Sequence, residues 1–564
     1  MATKKVNTGN ASSSEPETKG KSAQSDRSSK QRSTKRGRAS KGRRNSQRTG
    51  TSKEYTGRSS TDNDVSWYAR NPELLAASSS LPSFEVVGNP LPFRGSDTVP
   101  GVMALYWDPA VAGFDDTAIN QAKDSMYSFI VHANSRNQSY DSTDLMILLM
   151  SGVQVFTTLA HIIRAYGVAK TYSEVNKYLP HALLRLMGFD PSDVQANLSN
   201  MWFDINQMIA MTSQIWIPNT MPLMTRQFWM NTNIYTDAES VKAQLYLYVP
   251  DHFYVYQPKL TDEGGCMTPI LWNDILVNRQ ASGPVSLYKA EQSFSLKWDE
   301  WKNLFFMQIN ALVNDQDRGI IFGDILKAFG QEKIYSLTPI PVDYRVGFTY
   351  NREVLSQIEN AVVCQPTIAG IKQDPNTNRI VQVWLAQTSD LKGTGNHSVL
   401  NFHTATPPTA ADIMVASRMH CGGLRTQRHS VLNIADDGTL SFGQEIIWVP
   451  DSCGSEVCTG IKYAENKVTS SAGYDFIYHE FASIVADGVG QYEFDQLHIA
   501  LSFDWCPWIY KCGKAAKNQT AAGVMVTDTF FAYGEYDMYI TVENSELRKQ
   551  NVAAIYSEFG VPYI

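Results

Sequence analysis

The sequence predicts an α+β protein made of a disordered basic N-terminal arm, a mostly helical first part of the body and a β-rich second part. Three observations carry this. Residues 1–60 hold 16 Lys and Arg against 4 Asp and Glu and, beyond Met1 and Val6, almost no aliphatic side chain. From Ala118 to about Gly330, apolar residues recur at helical spacing. Beyond about Thr338 they alternate in short runs separated by Gly, Pro, Asn and Asp clusters.

The arm, residues 1–64, cannot bury enough apolar surface to offset the entropy of ordering. Apolar content returns at Val65-Ser66-Trp67-Tyr68, where the folded body is expected to begin. Ser142 or Thr143 is placed to cap a helix with Asp144 in its first turn, and Gly167 sits where a left-handed C-terminal residue is expected. Within it, Leu145 to Ile163 approaches membrane-spanning length. Ser151, Gln154, Thr157, Thr158 and His161 interrupt that run, which favours a helix buried in protein over a stable membrane span. Asp190-Pro191-Ser192-Asp193 opens the next helix with a capping side chain, a Pro at the first position and an acid in the first turn. Its stripe is Val194, Leu198, Met201, Trp202, Ile205, Met208 and Ile209. Ala243 to Gln257 reads as a β-hairpin around a Pro250-Asp251 turn. Trp298, Trp301, Phe305, Ile309 and Leu312 predict a helix over Lys297 to Val313. The runs RIVQVWLA, QEIIWVP, HIALSFDW and FFAYGEYDMYITV then read as strands. The composition shift puts a boundary near residue 340, dividing the body into 65–340 and 341–564.

The charge is divided as sharply as the pattern. Removing the arm's 16 basic and 4 acidic residues from the chain's 49 and 56 leaves 33 and 52, so an arm of +12 is joined to a body of −19. A flexible polycation suits a polyanion, because each Lys or Arg that meets a phosphate releases counterions without demanding fixed geometry. The densest part offers Lys35, Arg36, Arg38, Lys41, Arg43, Arg44 and Arg48 as RNA-binding residues, five of them Arg, which suits bidentate phosphate contacts. A solvated tail or a nuclear-import signal would have the same composition.

Chemistry is harder to find. The sequence has no GxxxxGK[ST] loop, GxSxG elbow or HExxH helix, so neither an enzyme nor a cofactor is expected. His479-Glu480 is followed by Ser483 where a second zinc ligand would be needed. Gly393-Thr394-Gly395-Asn396 reads as a turn, and His132 as a structural histidine. Trp505, Trp508 and Tyr510 read as core or interface in preference to a stacking platform. Seven Cys without paired spacing predict free thiols, a reducing site of synthesis and no metal site. The N-terminus lacks the apolar core of a secretory signal.

An Arg-rich arm on an acidic, catalytically silent body suits packaging of nucleic acid better than reading of its sequence. The blocks VSWYARNPELLAASSSLPSF, PGVMALYWDPAVAG, INQAKDSMYSFIVHANSRNQSYDSTDLM, YGVAKTYSEVNKYLPHALLRLMGFD and SNMWFDINQMIAMTSQIWIPNTMP span most of residues 65–235, and together they resemble the capsid proteins of picobirnaviruses. That resemblance implies a virion protein, made in the host cytoplasm, of a double-stranded RNA virus. It implies a coat protein that dimerises, with sixty dimers closing an icosahedral shell. It further implies a mostly helical shell domain, a β-rich projecting domain and a basic N-terminal region facing the RNA. Family members can lose the N-terminal segment by maturation cleavage. Here Asn63-Asp64, at the border of arm and body, offers an Asn whose side-chain amide can attack its own carbonyl. A non-capsid RNA-associated protein with a basic tethering tail is the competing reading.

Overall fold

A computed structural model describes residues 70–73, 101–111, 118–135, 139–171, 178–238, 243–258, 265–288, 294–362, 370–374, 377–382, 397–434, 440–469, 473–481, 500–501, 503–515, 527–533 and 537–560. The chain divides into two units, residues 1–81 and 82–564. In the first, the described residues form a short turn in which the Glu73 amide donates to Asn71 Oδ1.

The helices described in the second unit are α1 (Ala118–Asn134), α2 (Ser142–Thr171), α3 (Tyr178–Leu186), α4 (Pro191–Thr212), α5 (Pro222–Thr232), α6 (Trp298–Val313), α7 (Arg318–Phe329), α8 (Arg352–Glu359), α9 (Ala410–Ala416) and α10 (Asn544–Glu558), besides single turns. The strands are β1 (Val102–Pro109), β2 (Ile234–Thr236), β3 (Leu245–Pro250), β4 (Tyr254–Gln257), β5 (Cys266–Pro269), β6 (Phe348–Tyr350), β7 (Ile371–Asp374), β8 (Arg379–Gln382), β9 (His397–Phe402), β10 (Gly422–Ile434), β11 (Leu440–Ser452), β12 (Glu456–Thr469), β13 (Gly473–Phe481), β14 (Ile509–Ala515), β15 (Thr527–Tyr533) and β16 (Met538–Glu543).

The organising element is β1. Its VMALYWDP run is buried at every position because the strand is covered on both faces. Val102, Ala104 and Tyr106 face the helical layer. Met103, Leu105 and Trp107 face a second cluster formed by Val354, Leu355 and Ile358 of α8 together with Met419, Phe503 and Trp505. The two-residue period of a strand thus supplies two cores from one segment. Around β1 the sheet order is β13-β12-β1-β3-β2-β6. β1 runs antiparallel to β12, with a bulge between Tyr106 and Trp107, and parallel to β3. A second, four-stranded sheet has the order β4-β5-β7-β8.

The helical layer surrounds α2, which at 30 residues is about 45 Å long. An 18-residue stretch of it is apolar enough to suit a membrane, yet that stretch is wholly buried, and the helix packs against α1, α4, α5 and α6. Three of its polar residues are bonded inside the protein, Gln154 to Gln227, Ser151 to its own turn and His161 to the Met187 carbonyl, while the buried Thr157 and Thr158 hydroxyls have no hydrogen-bond partner among the described residues. Asp190 caps α4 by accepting from the Ser192 and Asp193 amides. In α6 the buried Glu300 reaches back to the Lys297 amide. The stripe on α4 faces inward at Val194, Met201, Ile205, Met208 and Ile209, with Leu198 and Trp202 half-buried at its margin.

Three local expectations are corrected. Gly167 does not end its helix; α2 continues to Thr171. Glycine is needed there for closeness, since a Cβ would lie 2.6 Å from Val346 Cγ2 and 2.8 Å from the Tyr344 ring. The segment 243–257 is no hairpin, because β3 joins the six-stranded sheet and β4 pairs with β5. Asp251 is buried between them and accepts from Ser286 Oγ and the Tyr288 amide, so it stitches in a distant loop and does not turn the chain back. Within HIALSFDW, the described residues 500–501 and 503–505 form a turn, not a strand. Phe503 and Trp505 are held by the β1 sheet as separate plugs, not as alternate positions of a ladder.

Late segments return to early ones. β12 and β13 extend the β1 sheet, Ile555 of α10 and Phe559 just after it enter the helical core, and at the surface Tyr556 donates to Gln121 of α1.

Candidate functional site

The polar groups with the most unusual environments form four buried clusters, each tying together segments far apart in sequence. At the end of β1, Asp108 Oδ1 accepts from the His252 amide at 3.0 Å and Oδ2 from His252 Nδ1 at 2.6 Å. Asp251 Oδ2 stands 3.3 Å from the same Nδ1. Burial pushes the Asp108 carboxyl up against the opposing pull of His252. Asp108, Asp251 and His252 could between them hold a cation. Their atoms are already engaged, however: Nδ1 faces two carboxylates and Asp251 Oδ1 takes two donors. The cluster also offers no route for substrate, each member being at most 3 % exposed.

The second cluster closes the chain. Arg226 of α5 donates from Nε to Glu456 Oε2 at 2.8 Å, and Gln227 donates to Glu456 Oε1 at 3.0 Å. Glu558 of α10 lies 4.0 Å from both Arg226 and Arg418, and Arg418 also donates to Asn551. Burial disfavours the charged form of Arg226, but Glu456 and Glu558 outweigh it and raise its pKa. Glu558 is raised by burial and by the neighbouring Glu456. Two cations and two anions thus share a dry site, where removing one member leaves an uncompensated charge.

In the third, Arg164 of α2 has no carboxylate partner among the described residues. Its guanidinium donates to the carbonyls of Met230, Asn233 and Tyr248 and stands 3.1 Å from His161 Nδ1. Burial lowers its pKa to about 9. Burial, and then the charge of Arg164, hold His161 well below the ordinary imidazole value. The fourth cluster joins α8 to β9. Glu359 accepts from Asn401, Asn360 bonds both Asn401 and Trp508, and His420 bonds the Asn360 carbonyl. Burial lowers His420 to about 4.

None of the four brings an accessible nucleophile to a base; they are fastenings. The expected arm residues Lys35, Arg36, Arg38, Lys41, Arg43, Arg44 and Arg48, the Asn63-Asp64 pair and the 393–396 turn lie outside the described residues. Trp505 and Trp508 are core, as expected, and exposed His132 bonds the Ser128 carbonyl of its own helix. The clusters were missed in the sequence, where the available signal was a lone charge inside an apolar run: Asp108 in LYWDP, Arg164 in HIIRAY.

Comparison with known proteins gives the family. The family model for the picobirnavirus capsid protein matches residues 67–384. A capsid protein precursor of human picobirnavirus is 24 % identical over 554 residues, covering 92 % of this chain and 93 % of that protein. The crystal structure of the picobirnavirus capsid superposes with a TM-score of 0.67 at 20 % identity, covering 88 % of this chain and 98 % of the other, a likeness of fold.

Proposed function

This chain belongs to the picobirnavirus capsid protein family, and from that premise we propose that it is the building block of a viral shell. Its copies dimerise, sixty dimers close an icosahedral particle around double-stranded RNA, and the protein resides in the virion after synthesis in the host cytoplasm. The observation that carries the RNA role is the charge division: an arm of +12 on a body of −19 leaves nucleic-acid binding to the arm, with Lys35, Arg36, Arg38, Lys41, Arg43, Arg44 and Arg48 at its densest part. In this reading residues 65–340 build the shell domain and 341–564 the projecting region. The late segments β12, β13 and α10 return to the shell domain, because they share its sheet and its helical core. Cleavage at Asn63-Asp64 would release the arm from the body.

Electron microscopy of the purified full-length protein tests the shell, with closed particles expected and discrete small species counting against it. Deleting residues 1–60 should leave folded, assembling protein with reduced RNA content. In filter binding, the arm's affinity should fall steeply with salt and ignore base sequence, and neutralising Arg36, Arg38, Arg43 and Arg44 should flatten that slope. Equal RNA content in full-length and truncated particles would refute the arm's role.

A further inference from the structure

Residues 336–350 cross the body as a strap with almost no regular structure of its own until it ends in β6. It is pinned from beneath by side chains. Trp202 Nε1 and Asn206 Nδ2 donate to the Ile340 carbonyl at 3.0 and 3.3 Å, and Asn206 Oδ1 accepts from the Ile340 amide at 2.8 Å. Tyr166 and Lys170 both donate to the Val342 carbonyl, and the Val346 amide donates to Thr171 Oγ1 at 3.0 Å. These bonds hold the strap in one shape, yet of its length only Val346 is fully buried.

Three large apolar side chains are among what it turns outward. Val342 is 55 % exposed at a turn, and Phe348 and Tyr350 on β6 are 39 % and 48 % exposed. β6 is the end strand of the six-stranded sheet, parallel to β2 on one side, and no described strand pairs with its other edge. Beside the apolar residues stand Asp343 and Arg345, both exposed and neither in an ion pair among the described residues. One charge of each sign suits a self-complementary contact, since each copy then offers the other an acid and a base. A nucleic-acid surface would instead carry an excess of cations.

We propose that the strap's outer face, Val342, Asp343, Arg345, Phe348 and Tyr350, is a contact between two copies of this chain. The inference rests on the capsid reading for the identity of the partner and on the strap's geometry for its place. Because the strap is already fastened to α2 and α4, little further ordering is needed on association, and the contact can be strong for its size.

The test compares full-length protein with the double variant Val342→Glu/Tyr350→Glu by sedimentation velocity and electron microscopy, with circular dichroism as the check on folding. The expected result is a folded variant whose self-association is weakened at least tenfold and which forms no closed particles. A folded variant that assembles like the parent overturns the proposal. Should the variant not fold, hydroxyl-radical footprinting of the unaltered protein decides. Phe348 and Tyr350 protected in assembled material and labelled in dissociated subunits support the contact, whereas equal labelling, or protection that requires RNA, overturns it. If the unaltered protein self-associates through this face but forms no particles, the shell reading fails while the contact stands.

Discussion

Replacing Glu456 by Gln tests whether the fold is closed by the buried charge cluster. The substitution keeps the size and an acceptor oxygen but removes the charge facing Arg226 Nε at 2.8 Å. Two guanidiniums, Arg226 and Arg418, are then left with Glu558, which stands 4.0 Å from each. Breaking a buried pair by neutralising one partner costs about 3–5 kcal/mol. Glu456 also repels Glu558, so its removal lets Glu558 ionise more readily and places the expected cost near the lower end, about 3 kcal/mol. At roughly 2.1 cal/mol/K per residue over a cooperative unit of about 480 residues, that corresponds to a Tm lowered by about 3 °C. Differential scanning calorimetry of dissociated subunits reads it directly. The double variant Arg226→Met/Glu456→Met should recover much of the loss, since an apolar pair leaves no stranded charge. A Glu456→Gln protein melting within 1 °C of its parent, together with no coupling in the double-mutant cycle, would refute this account of the cluster.

Three further outcomes are expected. Gly460→Ala places a Cβ 2.3 Å from the Tyr288 ring, which is packed between Tyr106 and Lys462, and should cost about 1–3 kcal/mol by thermal melting, partly relieved by Tyr288→Leu. His420 has a folded pKa near 4 against an ordinary 6.5, so the stability of its neutral form is fully present above pH 6.5 and is lost as pH falls towards 4. Over that window about 3 kcal/mol should disappear, and His420→Asn should flatten a pH series of melts there. Trp202→Phe removes the bond to the Ile340 carbonyl, should cost about 1 kcal/mol and should speed proteolysis at residues 336–350; unchanged cleavage would show the strap to be held by its other fastenings.

Features with causes inside a few residues were legible in the sequence. Asp190 and Pro191 start α4 because cap and fixed φ act within one turn, the periodicity of Trp298 to Leu312 marks α6, and the polar residues of Leu145 to Ile163 mark α2 as buried in protein. The arm's charge needs no fold at all, and the blocks within residues 65–235 carried the family. Tertiary structure decided what lies across space. Alternation along 243–257 tells which side chains share a face but not which strand is the neighbour, so β3 and β4 could be assigned to sheets only by the packing of β1. Gly167 has the same local surroundings whether it ends a helix or admits Val346, 179 residues away. The pairings Asp108 with His252 and Arg226 with Glu456 and Glu558 are decided last, when sheet and helices bring into two dry sites charges that the chain keeps more than a hundred residues apart.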